Sequence, residues 1–194
     1  MRQAGSVGCN FTRYLLMKFC FLILLLILSL VNLKGKAQTS TYKIITEFAG
    51  TWDGIIDTTE IKRLDDPLKA LTAFYSALAG TNCDTSTCDL TTALGLGTQG
   101  SDAHKALIKK YFPNDKLAKE VVAQNCYLRP DGASTFSEYC YLTITTSKGE
   151  IKVDFKVYFY DHGNDSYLTR QDTYLFQNHI FKVVKRKIIK QGKK

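Results

Sequence analysis

Hydrophobic and polar positions alternate most clearly in Glu150–Tyr160. Ile151, Val153, Phe155, Val157 and Phe159 fall on one side, and Lys152, Asp154 and Lys156 on the other. A period of two with one apolar side is a strand buried on one face. The same period predicts strands over Lys119–Leu128, Tyr139–Thr146, Tyr167–Phe176 and His179–Ile189, joined by the turn-forming stretches RPDG, SKGE, DHGND and QN. Links this short make successive strands antiparallel neighbours.

Upstream, the period lengthens to that of a helix. Asp65-Asp66-Pro67 supplies an acidic cap and a proline for a first turn, Leu68, Leu71, Phe74, Tyr75 and Leu78 follow at helical spacing, and Gly80 ends the run. A second helix is predicted from Ser101 to Phe112, capped by Ser101 and closed by Pro113, with Ala103, Leu107 and Tyr111 in register. Asn82 to Gly100 reads as loop with a short turn at Leu90–Leu94. Thr41 to Thr59 reads as a short hairpin or a loosely coiled start. Helices first and a long sheet afterwards predict an α+β domain, its N-terminal helices packed on a curved antiparallel meander of about five strands.

The first 37 residues follow another logic. Phe19 to Leu33 is an apolar run broken only by Ser29 and Asn32, Arg13 and Lys18 precede it, and no acidic residue occurs before Gln38. A positive start, an apolar stretch and the exit Gly35-Lys36-Ala37 predict a signal peptide over 1–37, cleaved before Gln38. Met17 opens MKFCFLILLL, a signal-peptide start in its own right and an alternative first residue. The expected compartment is extracytoplasmic, secreted or periplasmic. The alternative is an uncleaved leader that anchors the chain, although the run is shorter than the roughly 20 residues of a spanning helix. A single domain over 38–194 remains.

Removing the leader changes the charge. It holds five of the 26 lysines and arginines and none of the 18 acidic residues, so the precursor's +8 becomes +3. The excess lies at the end, in Lys182, Lys185, Arg186, Lys187, Lys190, Lys193 and Lys194. With Ile180, Val183, Val184 and Ile188 this segment reads as a half-buried edge strand rather than a primary binding site. Nucleic acid is not expected as a partner of an exported chain without a recognition motif. Four cysteines remain, and export with an even count predicts disulfides. Spacing favours Cys83–Cys88 across a short polar loop and Cys126–Cys140 across a turn. These spacings are not those of common zinc sites, so no metal is expected.

The layout resembles the NTF2-like (SnoaL-like) superfamily of α+β rolls, related to the cystatin fold. DDPLKALTAFYSAL is similar to its first helix and TYLFQNHIFKVVKRK to its closing strand pair, about 30 residues in all. The resemblance implies a sheet curved around a helix into a cone, often a pocket for small apolar molecules. In such a cone Trp52, Phe74, Phe155, Phe159 and Tyr174 are the candidate ligand-binding residues. Some members are isomerases, dehydratases or cyclases, but none of their catalytic residues matches a position here, and the cystatin motif Gln-x-Val-x-Gly is absent. Gly50-Thr51-Trp52 resembles the Gly-x-Trp opening of lipocalins, which implies a barrel as the alternative fold.

Local chemistry adds little to this picture. His104, His162 and His179 are scattered and read as surface side chains, and Asp53 and Asp57 as turn carboxylates. Gly95-x-Gly97-x-x-Gly100 spells a dinucleotide fingerprint outside any βαβ unit and reads as loop; no cofactor is implied. Asn164-Asp165-Ser166 is a glycosylation sequon in a predicted turn. The expected function is therefore binding: a small apolar ligand in a cone-shaped pocket. A pocketless module for an extracellular protein and a small-molecule isomerase or dehydratase are the alternatives. Sequencing the N-terminus of exported material should read Gln38 first; full-length chain held in membranes would instead establish the anchor.

Overall fold

The computed structural model describes residues 39–49, 54–78, 90–124, 136–160 and 163–193. Six strands form one antiparallel sheet: β1 (Ser40–Glu47), β2 (Gly54–Ile56), β3 (Phe136–Ser147), β4 (Glu150–Tyr160), β5 (Ser166–Gln177) and β6 (Ile180–Lys193). Their order is β2-β1-β3-β4-β5-β6. Between β2 and β3 run α1 (Thr58–Lys62), α2 (Asp66–Leu78), α3 (Leu90–Ala93), α4 (Asp102–Tyr111) and α5 (Lys116–Gln124). The fold is α+β. The sheet is open, with β2 and β6 at its edges, so the described residues do not close into a lipocalin-like barrel. No described helix is long and apolar enough to cross a membrane.

β4 follows its alternation closely. Ile151, Val153, Phe155, Val157 and Phe159 are buried, and Lys152 is exposed. Helix α2 lies over this face. Asp65 caps it, its carboxylate accepting from the Leu68 N–H at 2.9 Å. Every residue from Ala70 to Leu78 is buried, so α2 is enclosed on all sides rather than amphipathic. Ala70, Ala73 and Ala77 keep its flanks narrow. On one of them the His104 ring of α4 reaches the Ala73 carbonyl at 2.8 Å. Gly54 opens β2 where any Cβ would collide with Ile45 and the Tyr139 carbonyl, so only glycine fits there.

Three readings of the sequence are corrected. The strand predicted over Lys119–Leu128 is helix as far as Gln124. Ala118, Val121 and Val122 are its buried positions, a helical spacing, and the Asp115 carboxylate caps it by accepting from the Ala118 N–H at 3.0 Å. On α4 the buried side is His104, Ile108 and Tyr111 rather than Ala103, Leu107 and Tyr111. The third correction concerns β6. Val184 is 57% and Ile188 54% exposed, and Val183 and Ile189 are exposed too. Register shifts against β5 leave Val184 and Ile189 without facing residues, because Thr173 pairs with Lys185 and Thr169 with Lys190. Two such bulges bend the edge and interrupt its alternation.

Phe155 packs against the rings of Tyr75 and Tyr139, at 5.3 and 5.9 Å between centroids. Phe74, expected beside Phe155, stacks on Phe112 instead at 5.0 Å. Phe155→Ala should cost about 3–5 kcal/mol through the cavity it leaves. That lowers the melting temperature by about 6–20 °C. Lys156→Ala removes a 3.0 Å ion pair to Glu47 on the open face. Its expected cost is about 0.2–1 kcal/mol. Thermal unfolding of the two variants tests the contrast; equal losses would show that the sheet is not buried on one side only.

Candidate functional site

The inward face of β5 reads Leu168, Arg170, Asp172, Tyr174 and Phe176 at alternate positions. Two charged side chains thus enter the core side by side. Asp172 has no exposed surface, and Arg170 is buried. One Asp172 oxygen, Oδ2, accepts from the Arg170 guanidinium at 2.6 Å and from the Tyr75 hydroxyl of α2 at 2.7 Å. Tyr75 spends its only proton on that bond, so the Tyr174 hydroxyl, 2.9 Å away, donates to it. Arg170 lies over the Phe155 ring, its guanidinium carbon 5.0 Å from the centroid. Arg186 of β6 stands across from Asp172, with Nε 3.8 Å from the same oxygen. Its other end donates to the Asp115 carboxylate at 2.7 Å, the same carboxylate that caps α5. Tyr139 completes the cluster by donating to the Tyr75 carbonyl at 2.8 Å.

Two arginines meet two carboxylates here, so the cluster is neutral when its tyrosines are protonated. Burial is the main reason that Tyr75, Tyr139 and Tyr174 hold their protons well above the ordinary phenol range, reinforced by the Asp172 charge. Asp172 Oδ1 and Arg170 Nε have no hydrogen-bond partner among the described residues. The remaining bonds clamp α2, β5, β6 and the start of α5 together. This arrangement positions elements; with Asp172 sealed from solvent, it presents no reacting surface.

The open site lies elsewhere, in a cleft between α4 and α5 of about 570 Å³. Ile108 of α4 and Phe112 at its C-terminal cap, with Ala118 and Val122 of α5, form an apolar floor, and Lys105, Lys109 and Lys119 rim it. No ion pair within 4.0 Å engages these three lysines among the described residues. Phe112 joins the two sites: it stacks on Phe181 at 4.8 Å and meets Tyr174 edge-on at 6.1 Å.

Of the residues expected to line a cone, Phe74, Phe155, Phe159 and Tyr174 are all buried, and none of them lines the cleft. Trp52 lies outside the described residues, as do Asp53, His162, Cys83, Cys88 and Cys126. Cys140 is buried in β3, at a register shift against β4. Asp57 caps α1, accepting from the Thr59 N–H at 2.9 Å. His104, read as a surface residue, is buried because its ring bridges the Gly100 N–H and the Ala73 carbonyl. His179 is exposed in the β5–β6 turn, and Asn164 in the β4–β5 turn. Gly95, Gly97 and Gly100 all take positive φ in the α3–α4 connection, where they serve as loop glycines. The sequence reading passed over Arg170 and Asp172. The available signal was a charged pair at alternate positions between Leu168 and Tyr174, on the side of the strand that the apolar residues define as inward.

Comparison with protein-family models, curated proteins and solved structures finds no match to the chain. The sign of the pH response follows from the tyrosines. Their folded-state pKa values lie above the unfolded values, so stability is full below about pH 10 and falls as the unfolded phenols ionise. Each such tyrosine removes about 1.4 kcal/mol per pH unit in that range. Melting temperature measured from pH 8 to 11.5 should fall steeply at the alkaline end, and less steeply in Tyr174→Phe. A flat profile would mean that these hydroxyls are open to solvent.

Proposed function

We propose that this protein is an extracytoplasmic binding module that seats an anionic amphiphile in the α4–α5 cleft. The observation that carries the reading is an apolar floor of Ile108, Phe112, Ala118 and Val122 beneath three lysines that no acidic side chain among the described residues pairs with. An apolar body buried on the floor removes hydrocarbon from water, and a carboxylate or sulfonate head gains point charges at the rim. A volume of about 570 Å³ suits a ligand of drug or fatty-acid size. Among the described residues neither carboxylate nor histidine lines the cleft, so its chemistry favours holding over transforming.

We read the domain as a roll of the NTF2-like and cystatin-like kind. What supports this is the chain order, one strand pair, then helices, then a four-stranded meander that packs on α2. The cone expected from that resemblance is occupied by the protein's own rings and by the Asp172 cluster, which moves the ligand to the cleft. Export and the Cys83–Cys88 and Cys126–Cys140 bridges belong to the same proposal.

Displacement of the anionic fluorophore anilinonaphthalene sulfonate tests the site. Dodecanoate should displace it at micromolar concentration, and dodecyltrimethylammonium should not. Neutralising Lys105, Lys109 or Lys119 with Gln should weaken dodecanoate by about 2–5-fold each. Ala123→Trp, at the exposed lip, should block the cleft. Equal binding of both surfactants, untouched by these substitutions, would overturn the reading.

A further inference from the structure

We propose that the open edge of β6 is a docking strand, to which an extended acidic segment of another protein adds as a further strand of the sheet. Among the described residues the main-chain groups of β6 pair with β5 on one side only, over Ile180–Lys193. That leaves a long row of donors and acceptors facing outward, the template for strand addition. The side chains along this row define what it accepts. Lys182, Lys185, Lys187 and Lys190 stand opposite Leu175, Thr173, Gln171 and Thr169, and so share the outer face of the sheet with neutral neighbours.

On β4 the lysines are matched: Lys152 to Glu150 at 3.1 Å and Lys156 to Glu47 at 3.0 Å. The four lysines of β6 have no such carboxylate among the described residues; Lys190 instead lies over the Tyr167 ring at 5.5 Å. The inward side of the same edge presents Val183 and Ile188, with Val184 and Ile189 at the bulges, all exposed. An incoming strand with carboxylates on one face and apolar side chains on the other satisfies both sets. A second copy does not, because pairing β6 with β6 sets lysines beside lysines, which is unfavourable. Lysines on an edge guard it against self-association, and the same charges favour an acidic strand.

The test uses a fluorescein-labelled peptide of about ten residues, alternating Glu and Val to match the strand period. Fluorescence anisotropy should show saturable binding that weakens at least about tenfold between about 50 and 500 mM salt. Changing Lys182, Lys185, Lys187 and Lys190 together to Glu should weaken it by about tenfold or more, by loss and then reversal of attraction. N-methylation of alternate peptide amides should abolish it, since those amides would complete the ladder. On the unmodified protein, the peptide should slow hydrogen exchange at β6 amides while leaving anilinonaphthalene sulfonate bound in the α4–α5 cleft. Undiminished binding of the N-methylated peptide would overturn strand addition. Protection of β6 that rises with protein concentration in the absence of peptide would assign the edge to a second copy. Protection by phosphatidylglycerol vesicles but not by peptide would assign it to a membrane surface.

Discussion

Asp172 is a carboxylate with no exposed surface, and much of the structure is arranged around that fact. An ionised group taken out of water is stable only where opposite charge and donors surround it. Arg170, Arg186 and Tyr75 provide these from β5, the adjoining β6 and α2, whose Tyr75 lies 97 residues before Asp172. A buried ion pair adds little net stability over an apolar replacement, but loss of one partner costs about 3–5 kcal/mol. The cluster therefore acts chiefly on registry. A slip of β5 by one residue would carry Arg170 and Asp172 together to the solvent face and take Asp172 away from Arg186 and Tyr75.

The same logic reaches the helices through Asp115. One carboxylate caps α5 and holds Arg186, so the start of that helix is tied to the sheet edge. Phe112, just before it, stacks between Phe74 and Phe181 and also floors the cleft. The α4–α5 pair thus stands on a rigid base. Its lysines are left at the rim because the acidic side chains nearest the helices' starts are engaged in capping or lie outside the cleft. A pre-formed cleft of this kind lowers the ordering cost of the binding proposed for it.

The two faces of the sheet share out polar chemistry unevenly. Inside, charge is neutralised pair by pair; outside, among the described residues, it is matched on β4 and left unmatched on β6. Bulges at Val184 and Ile189 add to this by turning apolar side chains outward along the same strand. The edge strand is therefore both cationic and apolar, a combination that a strand with a regular alternation would separate onto two faces.

Much of the architecture was legible locally. The alternation of β4, the Asp65 and Ser101 caps and the SKGE and QN turns each depend on residues a few positions apart, and the structure contains them where those residues stand. Lys119–Leu128 was misread because Val121, Val122 and their neighbours make too short a run to separate a period of two from one of 3.6; the Asp115 cap, a turn earlier, decides for helix. The outcome that no local pattern could supply is what stands opposite each face. Arg170 and Asp172 become a clamp only because α2 brings Tyr75 over them, and Lys105, Lys109 and Lys119 converge only because α4 and α5 fold side by side. The amino-acid sequence by itself determined which segments become helix or strand and which positions want burial, since those are set by near neighbours. Tertiary structure decided which polar groups are neutralised, which cavity stays open and which edge stays unpaired, because each depends on a partner distant in the chain.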